Sequence, residues 1–472
     1  MLKKIFSNTI IYGLGQNVPK IIAIILLPII TPYLTKTDYG VYGILVAYIG
    51  SATVFKRLGF SVILSNSFYK TPLHYKFVWS RVFGFLLIWN IVLSILFAGI
   101  IILVLPDGVK QDLKTVILLY IIPTIFFDTI VFIGSKYLQY AQRPIPFGII
   151  TIIKSIIGYA VLYITVVQYR LGYLGWLYSA FASTFTGALL YSYVIMWRDK
   201  LLPSFKFNYK WLKRKLRIAL PVIPHFYSVF LLSNSDRIMM DLFGISTEEI
   251  GRYSLAYQIG GYFSLIGTAL AVAYGPILTQ MFKEKRKAEI IYISKLLTVG
   301  FIFMAFLLAI WMKDIFRLLV RNESLQDAYP IAMIVVFSFT YFPFYYYVGM
   351  FLQFEEKTGQ LFKISFLAGV LNVVLNLFAI PYFGIMGAAI TTFIGYMFMG
   401  YFGLFLKDFR KYDDNSLKYL LFALASSVLL VFSFIIKTQM LKISISIGFL
   451  LITYLLIKNI NKIHERNRTN ST

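Results

Sequence analysis

The sequence predicts an all-α polytopic membrane protein, and three observations carry that reading. Of its 472 residues 59% are hydrophobic, with a mean hydropathy of +0.76, against about 45–50% apolar in a typical soluble domain. The excess is gathered into runs of roughly 20 residues, the length a helix needs to cross hydrocarbon. Lys and Arg are roughly threefold more abundant in alternate connections, the asymmetry of positive-inside loops. That placement puts both termini in the cytoplasm. It also turns the net charge of +25 away from nucleic acid and toward anionic headgroups.

In chain order, apolar runs and breaks place spans at about 8–34, 40–66, 78–105, 115–138, 146–168, 172–197 and 217–241. The rest fall at about 249–279, 290–312, 329–353, 361–380, 384–406, 417–436 and 442–458, about fourteen in all. Met1-Leu2-Lys3-Lys4 before the first run reads as a start-transfer anchor that is retained. The first span holds Pro19, Pro28 and Pro32, and the second carries Lys56-Arg57. The fourth has Asp128 after Pro123, the seventh opens on Pro221 and Pro224, the eighth holds Pro276 and the tenth Pro343. Such prolines free backbone carbonyls and kink helices. Outer connections are short, the longest at about 312–328. Between the sixth and seventh spans lies a basic loop: Arg198, Lys200, Lys206, Lys210, Lys213, Arg214, Lys215 and Arg217 against Asp199 alone.

Two halves repeat each other around that loop. TKTDYGVYG at 35–43 resembles STEEIGRYS at 246–254, LQYAQR at 138–143 resembles LQFEEK at 352–357, and GYLG at 172–175 resembles GIMG at 384–387. The three matches keep one order and one offset of about 212 residues, the mark of a duplication. Six helices map on six, and an even count makes the copies parallel, related by an axis along the membrane normal. The expected division is 1–197 for the N-terminal lobe, 198–216 for a basic cytoplasmic linker and 217–406 for the C-terminal lobe. The last two spans and a basic tail fill 407–472. A duplicated helical membrane protein with a cationic hinge points to a transporter whose lobes rock about a central site.

The absence of cysteine excludes disulfides, thiol catalysis and cysteine metal sites. His74, His225 and His464 are too scattered to form a metal motif. No nucleotide-binding or phosphate-cradling glycine motif is present, so no cofactor is expected. A membrane polymerase or glycosyltransferase would need a large outer loop with catalytic acids. The longest one here balances Lys313, Arg317 and Arg321 with Asp314, Glu323 and Asp327.

IIYGLGQNVPKIIAIILLPIITPYLTKTDYGVYGIL near the start, and SNSDRIMMDLFGISTEEIGRYSLAYQIG at the start of the second half, resemble Wzx-type polysaccharide flippases. These belong to the multidrug/oligosaccharidyl-lipid/polysaccharide exporter superfamily. The resemblance covers the whole chain. It implies two six-helix lobes plus two C-terminal helices in the inner membrane, and a cavity opening alternately to either side. The implied cargo is an undecaprenyl-diphosphate-linked oligosaccharide for O-antigen, capsule or exopolysaccharide. Also implied are a proton or sodium gradient as driving force, and a polysaccharide polymerase with chain-length machinery as partners.

A flippase breaks no covalent bond; it must lower the cost of carrying a diphosphate through hydrocarbon, where one charge costs about 2.5–3.5 kcal/mol or more. Cations inside spans are therefore the candidate binding groups. Lys20 sits mid-span with Gln16 and Asn17 on its helical face; the competing reading is polar glue between helices. Lys56 and Arg57 are adjacent and point in different directions, one toward a cavity and one toward a neighbouring helix or the cytoplasmic boundary. Lys154 lies within about two turns of a cytoplasmic end and could snorkel. Asp128 is the candidate carboxylate for cation coupling, or a buried hydrogen-bonded acid. Asp236-Arg237 matches an acid–base pair of the family near the end of the seventh span, read as a gate or a structural ion pair. Asp38 and Glu249 precede helices and read as caps. Ser365, Gly369, Asn372 and Asn376 form one small polar stripe, suited to sugar hydroxyls or to close helix packing.

Two alternatives share the fold. A drug/cation antiporter would want a carboxylate-rich cavity, whereas the predicted span interiors hold Asp128 and Asp236 as clear acids against five Lys or Arg, which favours an anionic cargo. A lipid II flippase shares the fourteen-span plan and a cationic cavity.

Overall fold

A computed structural model describes residues 17–206, 208–449 and 451 of the chain. Among them no strand occurs, and the N-terminal half is built of α1 (Asn17–Tyr33), α2 (Lys36–Arg57), α3 (Phe60–Lys70), α4 (Tyr75–Val104), α5 (Val109–Tyr140), α6 (Pro144–Gln168) and α7 (Leu174–Arg198). A linker helix, α8 (Tyr209–Ala219), leads to α9 (Ile223–Leu242), α10 (Thr247–Gly261), α11 (Ser264–Lys283) and α12 (Lys287–Ile310). The chain continues through α13 (Met312–Leu319), α14 (Tyr329–Ser338), α15 (Phe342–Phe354), α16 (Thr358–Tyr401), α17 (Ser416–Ile435) and helical residues 439–449. Nine described helices are long and apolar enough to cross a membrane, ten if one bent pair is a single span. Where they are described, the expected spans fall mainly on helical residues, the first from residue 17 and the last to residue 449; residues 8–16 of the first lie outside the described residues.

Two departures from the expected layout have local causes. The second span is two helices: α2 ends at Arg57 because Leu58 and Gly59 adopt positive φ, 43° and 71°. A Cβ on Gly59 would lie 2.1 Å from the Ala219 carbonyl oxygen, so glycine is required there. The carbonyls left open at the end of α2 are taken by α4: Trp89 Nε1 donates to Phe55 O at 2.8 Å and Asn90 Nδ2 to Lys56 O at 3.1 Å.

The second part of the basic linker, from Tyr209, is a helix rather than a loop. Its spacing turns Trp211, Leu212 and Leu216 onto the N-terminal lobe and leaves Lys210, Lys213, Arg214 and Arg217 exposed. Asp199, the acid at the linker's start, is paired with Arg143 at 2.6 Å, and Ser204 N donates to Ser80 O at 2.8 Å. The linker therefore belongs to the N-terminal lobe, and the chain bends by 52° around Pro221 and Pro224, between Tyr209–Val222 and Phe226–Leu242.

The expected spans at 361–380 and 384–406 are the two arms of α16, which is a hairpin and not one long rod. Gly384, with φ 54° and ψ −136°, reverses it after Pro381. Thr391 then donates to Asn376 across the two arms.

The repeat is legible in backbone geometry. Gly172 and Gly384 take φ of 55° and 54°, and Gln142 and Glu356 take 51° and 57°. After each of the latter the chain closes on its helix in the same way, with Arg143 N to Leu138 O at 2.9 Å and Lys357 N to Leu352 O at 2.7 Å. The first anchor is where the lobes touch. A Cβ on Gly40 would lie 1.9 Å from Thr247 O, and one on Gly251 would lie 1.9 Å from Lys36 O. Each helix thus fits its glycine against the other's first turn in a two-fold crossing. The caps there are Thr35 with Asp38, a reciprocal capping box, and Ser246 with Glu249 N.

The core divides along the membrane axis. One apolar cluster joins both lobes at the end holding the Gly40–Gly251 crossing. At the opposite end, which carries the basic linker, there are two separate clusters, one per lobe. The lobes thus share one core at one end and keep separate cores at the other. The last two helices pack outside the C-terminal lobe through Thr340–Ser426 (2.8 Å), Trp311–Ser446 (3.1 Å) and the Asp314–Lys442 ion pair. Outside the spans, hydrogen bonds from Lys357 and Gln360 hold the Asp408 carboxyl below its ordinary range.

Candidate functional site

Two chambers, of about 480 and 430 Å³, lie between the lobes and share Asn234 as a wall residue. The first runs toward the joined end and the second toward the basic end. One face of α2 lines both: Tyr42 and Val46 in the first, Gly50, Thr53 and Arg57 in the second. Those spacings of three and four keep all five on one side of the helix. From the other lobe α9 answers with Phe226, Phe230 and Ser233 in the second chamber and Arg237 in the first.

The wall is cationic. Lys154 and Arg237 line the first chamber, Arg57 and Lys136 the second, and no Asp or Glu is among the lining residues of either. Each cation is positioned by its helix. Gly187 on α7 makes room for the Lys154 stem, since a Cβ there would come within 3.3 Å of Lys154 Cδ. Arg57 stands over the Phe132 ring at 4.8 Å. Arg237 donates to Ser254 Oγ and to the Ser233 carbonyl, both at 3.2 Å, and lies 4.7 Å from the Tyr257 ring centre.

Behind the wall sit the acids. Asp128 Oδ2 is 3.7 Å from both Lys56 Nζ and Arg57 Nη2. Lys56 is 6% exposed and faces into the lobe, whereas Arg57 has a side chain 45% exposed in the chamber. Asp236 is wholly buried in the C-terminal lobe, accepting from Tyr253 and, at 3.5 Å, from Thr392, with Arg237 at 4.0 Å. The adjacent Asp236 and Arg237 thus serve opposite sides of α9, interior and chamber. Asp38 closes its own cap and also accepts from Tyr173 N at 2.8 Å, which binds the first repeat anchor to the third.

The other candidates lie elsewhere. Lys20 is exposed and outside both walls, next to Pro19, which lines the first chamber. Asn17 is half-buried at the start of α1, and Gln16 lies outside the described residues. Asn372 and Asn376 are fully buried inside the α16 hairpin, where Asn376 donates to Asn372 at 3.3 Å and accepts from Thr391. Gly369 of the same stripe seats the hairpin on α9, where a Cβ would lie 2.9 Å from Ser228 O. The stripe therefore packs helices and does not face the chambers.

Wall residues not foreseen as candidates include Lys136, Tyr42, Trp176, Ser254 and Gln258. Tyr42 and Trp176 stack at 4.7 Å and 17°. The four-residue spacing of Ser254 and Gln258 was a signal available in the sequence. Among the described residues no group of acids and histidines is arranged to hold a metal ion.

The sequence pattern of the polysaccharide biosynthesis protein family matches residues 5–282. No curated protein matches the chain by sequence. Among solved structures, the chain is similar to lipid II flippase MurJ in an inward closed conformation: 15% identity, TM-score 0.68, covering 90% of this chain and 98% of that one. It is similar to an inward-facing multidrug resistance MATE family transporter at 15% identity and TM-score 0.61, covering 86% and 98%. A MOP superfamily transporter from Pyrococcus furiosus, described as having a binding pocket of reverse polarity, matches at 15% identity and TM-score 0.57, covering 90% and 95%. The fold is the one that these flippase and transporter structures share.

Proposed function

The chain belongs to the polysaccharide biosynthesis protein family, and from that footing we propose that it is a flippase for a polyprenyl-diphosphate-linked oligosaccharide. The observation that carries the reading is the sign of the cavity. Four cations, Arg57, Lys136, Lys154 and Arg237, face the chambers and no acid lines them. A diphosphate in hydrocarbon needs that compensation, whereas a cationic drug would be repelled by it.

In this reading the diphosphate enters from the basic, cytoplasmic end, where the lobes keep separate cores. The neutral polar groups opposite, Asn234, Ser254 and Gln258, are offered to sugar hydroxyls. Exchange of the joined and separate ends moves the cargo outward through the inner membrane, driven by a proton or sodium gradient. A polymerase with its chain-length machinery takes up the product. A lipid II flippase reading is supported by the fold alone.

The test is mass spectrometry of extracted polyprenyl diphosphates from cells depleted of the protein. Accumulation of a complete lipid-linked repeat unit is expected. An unchanged pool with altered sensitivity to cationic drugs would replace the reading with a drug exporter.

A further inference from the structure

Asp128 stands behind the cationic wall, beside Arg57 of the second chamber and within electrostatic reach of Lys154 of the first. Its carboxylate is equidistant, at 3.7 Å, from Arg57 at the second chamber and from buried Lys56. Lys154, at the first chamber, is its third cationic neighbour. Lys136 faces the same chamber as Arg57, bonded to Gln139 at 3.1 Å. The surroundings hold Asp128 firmly in the lobe. The next residue, Thr129, accepts from Asn90 Nδ2 at 2.9 Å, and Asn90 in turn binds the Lys56 carbonyl.

A carboxylate with three cationic neighbours, 24% exposed beside a chamber, already has the electrostatic partners that a transported cation would need to displace. We infer that Asp128 is the built-in counter-ion of the cationic wall: it competes with an anionic cargo for Arg57 and Lys154, and falls back on Lys56 when the cargo is bound. This deepens the flippase reading and rests on it. A site that conducts must bind well enough to load and weakly enough to release. Four wall cations in a low-dielectric cleft would hold a diphosphate too long, because attraction at about 4 Å grows steeply as water is excluded. Asp128 supplies the opposing charge at fixed distance, and Lys56 keeps that charge compensated after Arg57 has turned to the cargo. Asp128 is thus a positioning and specificity residue for the cations and does not itself contact the cargo.

The test uses purified full-length protein and inorganic pyrophosphate as the probe, with affinity read by calorimetry and turnover by lipid-linked sugar flux in proteoliposomes. Asp128→Asn is expected to bind pyrophosphate about tenfold more tightly, with KM and kcat for flux both falling as release slows. Since Asp128→Asn leaves Lys56 buried without its partner, the double variant Lys56→Met/Asp128→Asn provides a neutral control, expected to show the same tightening. Pyrophosphate binding by the wild type that is unchanged or weakened in both variants overturns the counter-ion role and leaves the flippase reading standing. No pyrophosphate binding by wild type or variants overturns the anionic-cargo reading itself, and the inference with it. Loss of ion-gradient dependence in Asp128→Asn at unchanged pyrophosphate affinity would assign Asp128 to ion coupling instead.

Discussion

Arg57 and Lys154 come from different helices, α2 and α6, yet each ends at a chamber wall, Arg57 with its guanidinium over a ring and Lys154 with its stem against a glycine. Replacing either with Gln removes charge while keeping most of the length. Export is expected to fall by about tenfold or more, equivalent to about 1.4 kcal/mol of barrier, at normal protein level. Measuring surface polysaccharide against membrane protein content checks this, and wild-type export in both would remove them from the cargo path. Lys20→Gln serves as a comparison from outside the walls, with a smaller loss expected. Tyr253 acts on stability instead. Its hydroxyl donates to Asp236, which is wholly buried, and a hydrogen bond to a charged group is worth about 1.5–3 kcal/mol. Tyr253→Phe should lower the unfolding midpoint in detergent by a corresponding amount.

Helices meet where glycine allows it, and the most constrained meeting is between α2 and α10. Alanine at Gly40 or Gly251 would place a methyl 1.9 Å from a carbonyl oxygen of the other lobe, a distance no side chain tolerates. Each substitution should part the joined end. Because the chain has no cysteine, a single Gln258→Cys can report this without background. Its labelling by a membrane-impermeant maleimide from the outer side should rise in Gly40→Ala, and unchanged labelling would show that the crossing does not seal that end. Asp408 gives an element-scale pH dependence. Its folded pKa is lowered by Lys357 and Gln360, so the tie between α16 and the following turn is fully present above the ordinary carboxylate pKa of about 3.9. It is lost as pH falls through the lowered folded value. The difference in unfolding midpoint between wild type and Lys357→Gln should therefore be present at neutral pH and vanish in acid.

At the scale of the whole molecule, one shared core cluster and two separate ones make a hinged pair of lobes. Tyr48 in α2 donates to Asp241 in α9 at 2.9 Å, bridging the lobes near the joined end. A short bismaleimide across Tyr48→Cys/Asp241→Cys is expected to stop turnover by holding that end shut. Full flux in the linked protein would contradict alternating access. The bend at Pro221 and Pro224 lies between a linker fixed to one lobe and the first helix of the other, which is where motion between the lobes would concentrate.

The sequence by itself determined the class, because membrane insertion depends on local quantities: length of apolar run, proline and glycine breaks, and loop charge. It also marked the repeat anchors, whose glycines and caps turned out to be positions of positive φ, chain reversal and lobe contact. The linker's helical fold was latent there too, in the spacing of Trp211, Leu212 and Leu216. What only the tertiary structure decided was which polar side chains face the chambers. Lipid and protein interior are both apolar, so a spanning helix carries little hydrophobic signal of which side points inward. Adjacent residues such as Lys56 and Arg57, or Asp236 and Arg237, stand about 100° apart on the helix, and packing against distant segments sets their rotation. That is why the stripe at Asn372 and Asn376 could not be told from a sugar-binding face until Thr391 and the turn at Gly384 were seen to fold it into a hairpin.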